Sequence, residues 1–194
     1  MAIRNSEDRR VRKTKKQLRI ALMTLLLKKD LEDITVRDVA ELADVNRGTF
    51  YAHYKDVGEL LRQLEDDLLN ALSAVGEQYK DRLSQEDAFA YLTDIFALAG
   101  ENSDIVYALY CTNVDMNFQL RLHRELQQQY LFPFLEKLEL QGVYAELVAA
   151  YVTSGVVSMA VRWIEGGRKE TPAELARLCG TLVSRGIGAV KNEL

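Results

Sequence analysis

Residues 45–56 read Val-Asn-Arg-Gly-Thr-Phe-Tyr-Ala-His-Tyr-Lys-Asp. This segment says more about the fold than any other part of the chain. It follows a short segment, residues 35–43, in which apolar residues recur at helical spacing behind Thr35, a residue suited to an N-cap. Asp44 and Val45 form the turn between the two segments, and Asn46 can cap a second short helix. Together they predict a helix-turn-helix, a motif whose second helix enters the major groove of DNA.

The second of these helices carries side chains that suit contact with DNA. Val45 and Phe50 are its apolar anchors on the preceding helix. We expect the remaining side chains to face outward and to read bases or nearby phosphates: Arg47, Gly48, Thr49, Tyr51 and His53. Gly48 lets the backbone approach a phosphate or a base edge closely. Tyr54 and Lys55 stand at the helix end, where a phenol and an ammonium group can hold phosphates.

The charge of the chain is divided between its two parts. All 194 residues together carry a net charge of −4, whereas residues 1–55 hold 13 Lys and Arg against 8 Asp and Glu, a net charge of +5. The basic residues concentrate in residues 9–16, a run that can steer the protein to DNA and neutralise phosphates. We therefore expect five residues to hold the DNA backbone: Arg12, Lys13, Lys16, Thr35 and Arg37. The alternative for the basic run is a solvated, partly disordered tail.

The segments 35–40, 43–45, 48–51 and 53–56, followed by Leu60-Leu61, resemble the TetR family of bacterial transcription regulators. The resemblance implies an all-helical homodimer that binds a palindromic operator through its N-terminal domains. It also implies a small-molecule effector held in the C-terminal domain, which in most members releases a repressor from DNA. The chain differs from the family at Val57, where members usually carry a lysine that often contacts phosphate, and at Ala52, where members often have a larger residue.

Caps and breakers along the chain predict an all-α fold of about nine helices. A three-helix head, residues 1–55, is joined by a long fourth helix starting at about residue 56 to a C-terminal helical domain, residues 56–194. The helix-turn-helix pair lies within residues 35–56. We predict the other seven helices at about residues 9–29, 57–79, 84–100, 102–113, 115–137, 143–165 and 171–191. Asp56 with Glu59 and Thr171 with Glu174 have the spacing of capping boxes. Pro133 predicts a kink or an early stop inside the seventh helix.

The last two helices carry apolar residues over more of their surface than a single protein core requires. Those of the eighth are Val148, Tyr151, Val152, Val156, Met159, Ala160 and Trp163, and those of the ninth are Leu175, Leu178, Leu182, Ile187 and Val190. Glycines such as Gly155 and Gly186 would allow close approach of a second helix. In the family these helices form the twofold dimer interface. The alternative is that they fill the core of a monomer.

The effector site is expected among aromatic and polar residues of the sixth to eighth helices. The candidates are Tyr107, Tyr110, Cys111, Asn117, Phe118, Tyr151, Ser154 and Trp163. An apolar cavity with a few polar groups is the usual form of a small-molecule site, and the family resemblance implies a cavity in this region. Ordinary core packing explains each of these residues equally well.

Other classes of protein find little support in the sequence. Neither His53 nor His123 belongs to a catalytic arrangement, and no phosphate loop or metal-type spacing is present, so we expect no enzyme, cofactor or metal. No segment approaches 18 uninterrupted apolar residues, which predicts a cytoplasmic protein without membrane spans. The runner-up to a ligand-responsive, sequence-specific transcriptional regulator is an interaction protein or co-activator that acts through a protein partner.

Overall fold

A computed structural model describes residues 2–82, 84–111 and 116–193, with side chains for residues 9–82, 84–110 and 117–186. All regular structure in these ranges is helical, as the sequence predicts. The α-helices are α1 (Ala2–Leu26), α2 (Val36–Leu42), α3 (Arg47–Tyr51), α4 (Val57–Tyr79), α5 (Gln85–Glu101), α6 (Ser103–Cys111), α7 (Met116–Leu126), α8 (Phe132–Lys137), α9 (Gly142–Glu165) and α10 (Pro172–Glu193). A short 3-10 helix spans Leu31–Asp33, and a π-helix spans Gln127–Leu131.

The chain forms two compact units, which divide within α4. The head unit comprises Met1–Asp67 with Ala108–Asp115, and the body unit comprises Leu68–Tyr107 with Met116–Leu194. The division inside α4 therefore falls further along the chain than the domain boundary at residues 55 and 56 that we place from the sequence. Fully buried side chains form the core of the head unit, among them Leu18, Leu22 and Phe50.

The core of the body unit is built mainly from α5, α9 and α10. The extensive contact between α5 and α10 buries Phe96 of α5 and Ala176 of α10 completely. Helix α9 contributes Ala149, also completely buried, and Val156. Burial of apolar surface of this kind is the main source of stability for an all-helical unit.

Pro133 changes the hydrogen-bond register of the predicted seventh helix instead of ending it. Proline has no amide hydrogen, so the carbonyl of Gln129 loses its regular donor four residues later. The preceding residues adopt π geometry, in which the amide of Phe132 donates to the carbonyl of Gln127 five residues before it. The expected single helix is thus α7, the π-helix and α8 in succession.

Helix α9 ends in a Schellman motif at the two glycines that the sequence marks as a stop. Gly167 has φ of +83°, and the amide of Arg168 donates to the carbonyl of Trp163 at 2.9 Å. By length and composition alone, α9 could cross a membrane. It does not stand out in the sequence because residues such as Thr153 and Ser154 interrupt its apolar run. Core helices meet the same criterion, and α9 packs its buried side in the body unit.

Candidate nucleic-acid interface

Helix α2 is fixed in the head unit by the capping box that its sequence predicts. The hydroxyl oxygen of Thr35 accepts from the amide of Asp38 at 3.2 Å, and the carboxylate of Asp38 accepts from the amide of Thr35 at 2.9 Å. The ammonium group of Lys29 donates to the same carboxylate at 2.9 Å. These bonds, with that from Lys29 the largest cause, hold the pKa of Asp38 well below its usual range. The carboxylate therefore stays charged and ties the chain after α1 to the start of α2.

The turn between α2 and α3 is sharp because Asp44 adopts a left-handed backbone. Its φ is +53°, a region that aspartate tolerates better than most residues. The amide of Val45 then donates back to the carbonyl of Ala40 at 2.9 Å. The turn sets the direction in which α3 leaves α2, as a helix-turn-helix requires.

Helix α3 begins at Asn46, the predicted cap. The side-chain oxygen of Asn46 accepts from the amide of Thr49 at 2.7 Å and from its hydroxyl at 3.1 Å. Phe50 is completely buried and anchors the helix to the core of the head unit. Because the cap and the anchor fix both ends of so short a helix, its outward side chains start from a defined backbone.

The side chains expected to read DNA lie on the accessible side of α3 or directly after it. Arg47 and Gly48 are exposed, and Tyr51 keeps 57% of its surface accessible although its ring edge packs on Phe50. Thr49 and His53 are half-buried. The surface thus combines a guanidinium group, a phenol, a hydroxyl and an imidazole, all of which can bond to base edges or phosphates.

Tyr54 differs from the expectation that it holds a phosphate. It is 5% exposed, and its ring packs 5.9 Å from that of Phe50 with the ammonium group of Lys15 at 5.8 Å from the ring centre. Burial raises the pKa of its phenol. We therefore assign Tyr54 to the core of the head unit, with Lys15 held over it by a cation–π contact.

The other residues expected to hold the DNA backbone are accessible. Arg12, Lys13, Lys16, Thr35, Arg37 and Lys55 are all exposed. Arg37 lies 3.8 Å from Glu41, an exposed ion pair that contributes little stability. The side chain of Asp56 caps α4 by accepting from the amide of Glu59 at 2.7 Å, while Glu59 accepts from the amide of Lys55 instead of that of Asp56.

The structure describes the side chains of seven of the eight residues expected to form the effector site, and their surroundings differ. Trp163 is buried, with its indole nitrogen donating to the carbonyl of Glu170 at 2.9 Å, and Phe118 is buried as well. Tyr107 and Tyr110 are half-buried, and Asn117 is exposed. The side chain of Cys111 lies outside the described residues. The last two candidates, Tyr151 and Ser154, line an open groove of about 300 Å³ between α9 and α10, here called the α9–α10 groove.

A different set of residues encloses a cavity of about 60 Å³ in the body unit, here called the aromatic cavity. Its walls include Tyr91 of α5, Tyr130 of the π-helix, Phe134 of α8 and Val152 of α9. The first three are not among the residues that we select from the sequence. Pro133 was the available signal, because a π-turn next to proline often lies at a functional site. Across the described residues, no group of three or more His, Cys, Asp and Glu side chains is arranged to hold a metal.

A capped helix-turn-helix with an exposed, cationic second helix defines a DNA-binding head. Comparison with known proteins agrees with this geometry. The model described as "Bacterial regulatory proteins, tetR family" matches residues 21–64, and the model described as "Transcriptional regulator C-terminal region" matches residues 86–185, just over half of the chain. The chain belongs to the TetR family of transcriptional regulators. The resemblance to this family of DNA-binding transcription regulators, seen in the sequence, is confirmed.

Individual relatives are distant. The uncharacterized HTH-type transcriptional regulator YxbF of Bacillus subtilis (strain 168) is 26% identical over 178 residues, which are 88% of this chain and 44% of the relative. The chain thus spans less than half the length of that relative. A TetR transcriptional regulator from Streptococcus agalactiae 2603V is 28% identical, with a TM-score of 0.59 over 92% of this chain and 97% of the other. FadR of Bacillus subtilis, solved in complex with stearoyl-CoA, is 14% identical with a TM-score of 0.62 over 87% and 96%, and shows the fold alone.

Proposed function

We propose that the chain is a homodimeric, ligand-responsive repressor that acts in the cytoplasm on a palindromic operator. The observation that carries the DNA-binding part is the surface of α3, where Arg47 and Tyr51 are accessible on a helix that Asn46 and Phe50 fix in place. Arg47 and Tyr51 approach bases, and the basic residues of α1 and Lys55 contact phosphates. Repression follows the behaviour of most members of the family.

The exposed side of α9 and α10 supports dimerisation. Leu147 and Tyr151 of α9 are 63% and 80% exposed, and Leu178 and Leu182 of α10 are 53% and 61% exposed. Large apolar side chains exposed together on two helices in contact are unusual on a monomer and mark an interface. A Cβ atom added at Gly155 would meet no atom within 4 Å, which leaves room for a helix of a second copy. A twofold dimer then presents two α3 helices to two half-sites.

A gel-retardation assay with the promoter DNA of the protein's own gene tests the DNA-binding part. We expect Arg47→Ala and Tyr51→Ala each to weaken retardation by at least about tenfold, the effect expected for one good base contact per protomer in a dimer. Arg124→Ala, which removes an exposed arginine of α7, is the matched control and should retard as the wild type does. Unchanged retardation by both α3 variants would refute the assignment of α3 as the recognition helix.

The same assay separates this proposal from the interaction-protein alternative. A co-activator that works through a protein partner would remain dimeric and would retard no promoter fragment at low salt. For the wild type, a dimer by light scattering together with specific retardation supports the regulator. The effector is proposed to occupy the body unit, where the aromatic cavity lies.

A further inference from the structure

Four aromatic rings form one cluster at the aromatic cavity. Tyr91 and Tyr130 stack with ring centres 4.2 Å apart and planes 17° from parallel. Tyr79 meets Tyr91 edge-on at 5.8 Å, and Phe134 stacks on Tyr130 at 5.9 Å. The four rings belong to α4, α5, the π-helix and α8. A change in their packing therefore alters contacts of four elements of the body unit.

The hydroxyls of the stacked pair are buried without hydrogen bonds. Tyr91 and Tyr130 are 5% and 4% exposed, and neither phenolic oxygen has a hydrogen-bond partner in the described part of the chain. The hydroxyl of the neighbouring Tyr79, in contrast, donates to the carboxylate of Asp94 at 2.7 Å. A buried hydroxyl without a partner lowers stability, and two of them side by side call for an explanation such as a bound ligand that satisfies them.

The cavity is too small for an aromatic ligand unless the stacked rings part. An apolar cavity of roughly 150 Å³ accepts benzene, and this one holds about 60 Å³. Its accessible surface is apolar, so the two hydroxyls lie within the wall. If the stacked rings part, the cavity grows and both hydroxyls become available to whatever lies between them. Tyr130 belongs to the π-helix, whose hydrogen-bond register is the least regular in the body unit and the easiest to adjust.

The charges around the cluster select against ions. Among the described residues, those that line the cavity are all uncharged. The nearby carboxylates are already engaged, Asp94 by Tyr79, Asp87 by Arg82 at 2.8 Å, and Glu125 by Gln129 at 3.0 Å. An anion would gain no counter-charge from this lining, because the one guanidinium described beside the cluster, that of Arg82 at 5.0 Å from the Tyr79 ring centre, is already paired with Asp87. A cation would lose its hydration without gaining a counter-charge in the wall, and the facing sides of the Tyr91 and Tyr130 rings cover one another and leave it no cation–π contact there.

We propose that the aromatic cavity binds a small, uncharged aromatic molecule that bears a hydrogen-bond acceptor. Its ring replaces the Tyr91–Tyr130 stack with a three-ring stack, and its acceptor takes hydrogen bonds from the two hydroxyls. The inference rests on the proposed function, since it names the ligand class of the effector site in the body unit.

Isothermal titration of the full-length protein with four probes of similar size tests the ligand class. We expect acetophenone to bind more tightly than toluene by roughly a hundredfold, because it accepts two hydrogen bonds that are each worth about tenfold at a buried site. Benzoate and benzyltrimethylammonium should bind more weakly than toluene. Tighter binding of either ion than of acetophenone, or no binding of acetophenone, would overturn the proposal.

Two conservative variants test the site itself. Tyr91→Phe and Tyr130→Phe remove a hydroxyl and keep the ring, so the melting temperature without ligand should stay the same or rise. Acetophenone affinity should fall roughly tenfold in each, while toluene affinity stays unchanged. The control is Tyr144→Phe, which alters a tyrosine of α9 that is 51% exposed and should change nothing. If acetophenone binds both variants as tightly as it binds the wild type, the ligand does not bind at the aromatic cavity.

These titrations contain no DNA, which separates the two proposals. If acetophenone binds and no promoter fragment is retarded, the proposed function fails and the ligand class stands. If retardation is specific and acetophenone does not bind, the regulator stands and the proposed ligand class fails.

Discussion

Asn46 serves the structure of the recognition helix more than it serves DNA directly. Its side-chain oxygen accepts both the amide and the hydroxyl of Thr49, so the oxygen itself is already occupied. A Cβ atom added at Gly48 would lie 3.2 Å from that oxygen, closer than ordinary contact. The absence of a side chain at Gly48 therefore protects the cap, in addition to the close approach to DNA that we propose for it.

Replacement of this cap should destabilise the head unit. We expect Asn46→Ala to lower the free energy of unfolding by about 1 kcal/mol, the usual cost of removing an N-cap. Urea unfolding followed by circular dichroism measures it. Asn46→Asp, which keeps an acceptor near the positive end of the helix dipole, should unfold close to the wild type. Equal destabilisation in the two variants would show that the acceptor is not what stabilises α3.

Asp38 should make the stability of the head unit depend on acid. Its bonds to Lys29 and Thr35 hold its pKa in the folded protein below the ordinary value of 3.8. The unfolded chain binds the proton more readily, so this stabilisation is fully present above that value and disappears as the pH falls below it. Asp38→Asn should therefore be destabilising at pH 7 and much less so near pH 2. Urea unfolding at both pH values measures the difference, and equal destabilisation at each would contradict the ion pair as its source.

At the level of the element, the local signals in the sequence predicted most of the fold. Thr35 and Thr171 cap α2 and α10 with the bonds that their spacing indicates, because a capping box depends on four consecutive residues. The π-helix could not be predicted in the same way, since Pro133 allows a kink, a stop or a change of register. The candidate DNA surface follows from one short segment and was largely predicted. The aromatic cavity brings together residues of α5, of the consecutive helices α7 to α8, and of α9 and α10, which are far apart in the sequence and follow no pattern that it encodes.

Helices α9 and α10 offer a direct test of the proposed dimer. Gly155→Leu should fold at least as well as the wild type. Leucine stabilises a helix by about 1 kcal/mol relative to glycine, and a Cβ atom added at Gly155 meets no atom within 4 Å in the protomer. In a dimer the same side chain would occupy the space proposed for the partner helix. We therefore expect Gly155→Leu to dissociate at concentrations where the wild type is dimeric by sedimentation velocity.

The control for this variant is a leucine on an exposed face away from α9 and α10. Gln78→Leu of α4 adds comparable apolar surface at an exposed position and should leave the association state unchanged. If both variants dissociate, general loss of stability explains the result. If Gly155→Leu remains fully dimeric, the partner helix does not approach at Gly155.

For the molecule as a whole, the uneven charge favours selective contact with DNA. Residues 1–55 carry a net charge of +5 within a chain of net charge −4, so the rest of the molecule is strongly acidic. The acidic part repels phosphate, and only the basic head gains from approaching DNA. The proposed dimerisation through the body unit would double the basic surface that one DNA site meets without making the remainder attractive to nucleic acid.

The basic charge of the head should make operator affinity depend on salt, and this dependence separates the roles of Lys55 and Tyr51. For a dimer with six or more phosphate contacts, we expect operator affinity to fall on the order of thousandfold between about 50 and 200 mM salt, because each neutralised phosphate releases counterions. Lys55→Ala should make the slope of log affinity against log salt shallower by roughly one for each phosphate that Lys55 neutralises in the wild type. Tyr51→Ala should lower affinity at every salt concentration and leave the slope unchanged, since a phenol releases no counterions. Fluorescence anisotropy with labelled operator measures both, and an unchanged slope in Lys55→Ala would exclude Lys55 from the residues that neutralise phosphate.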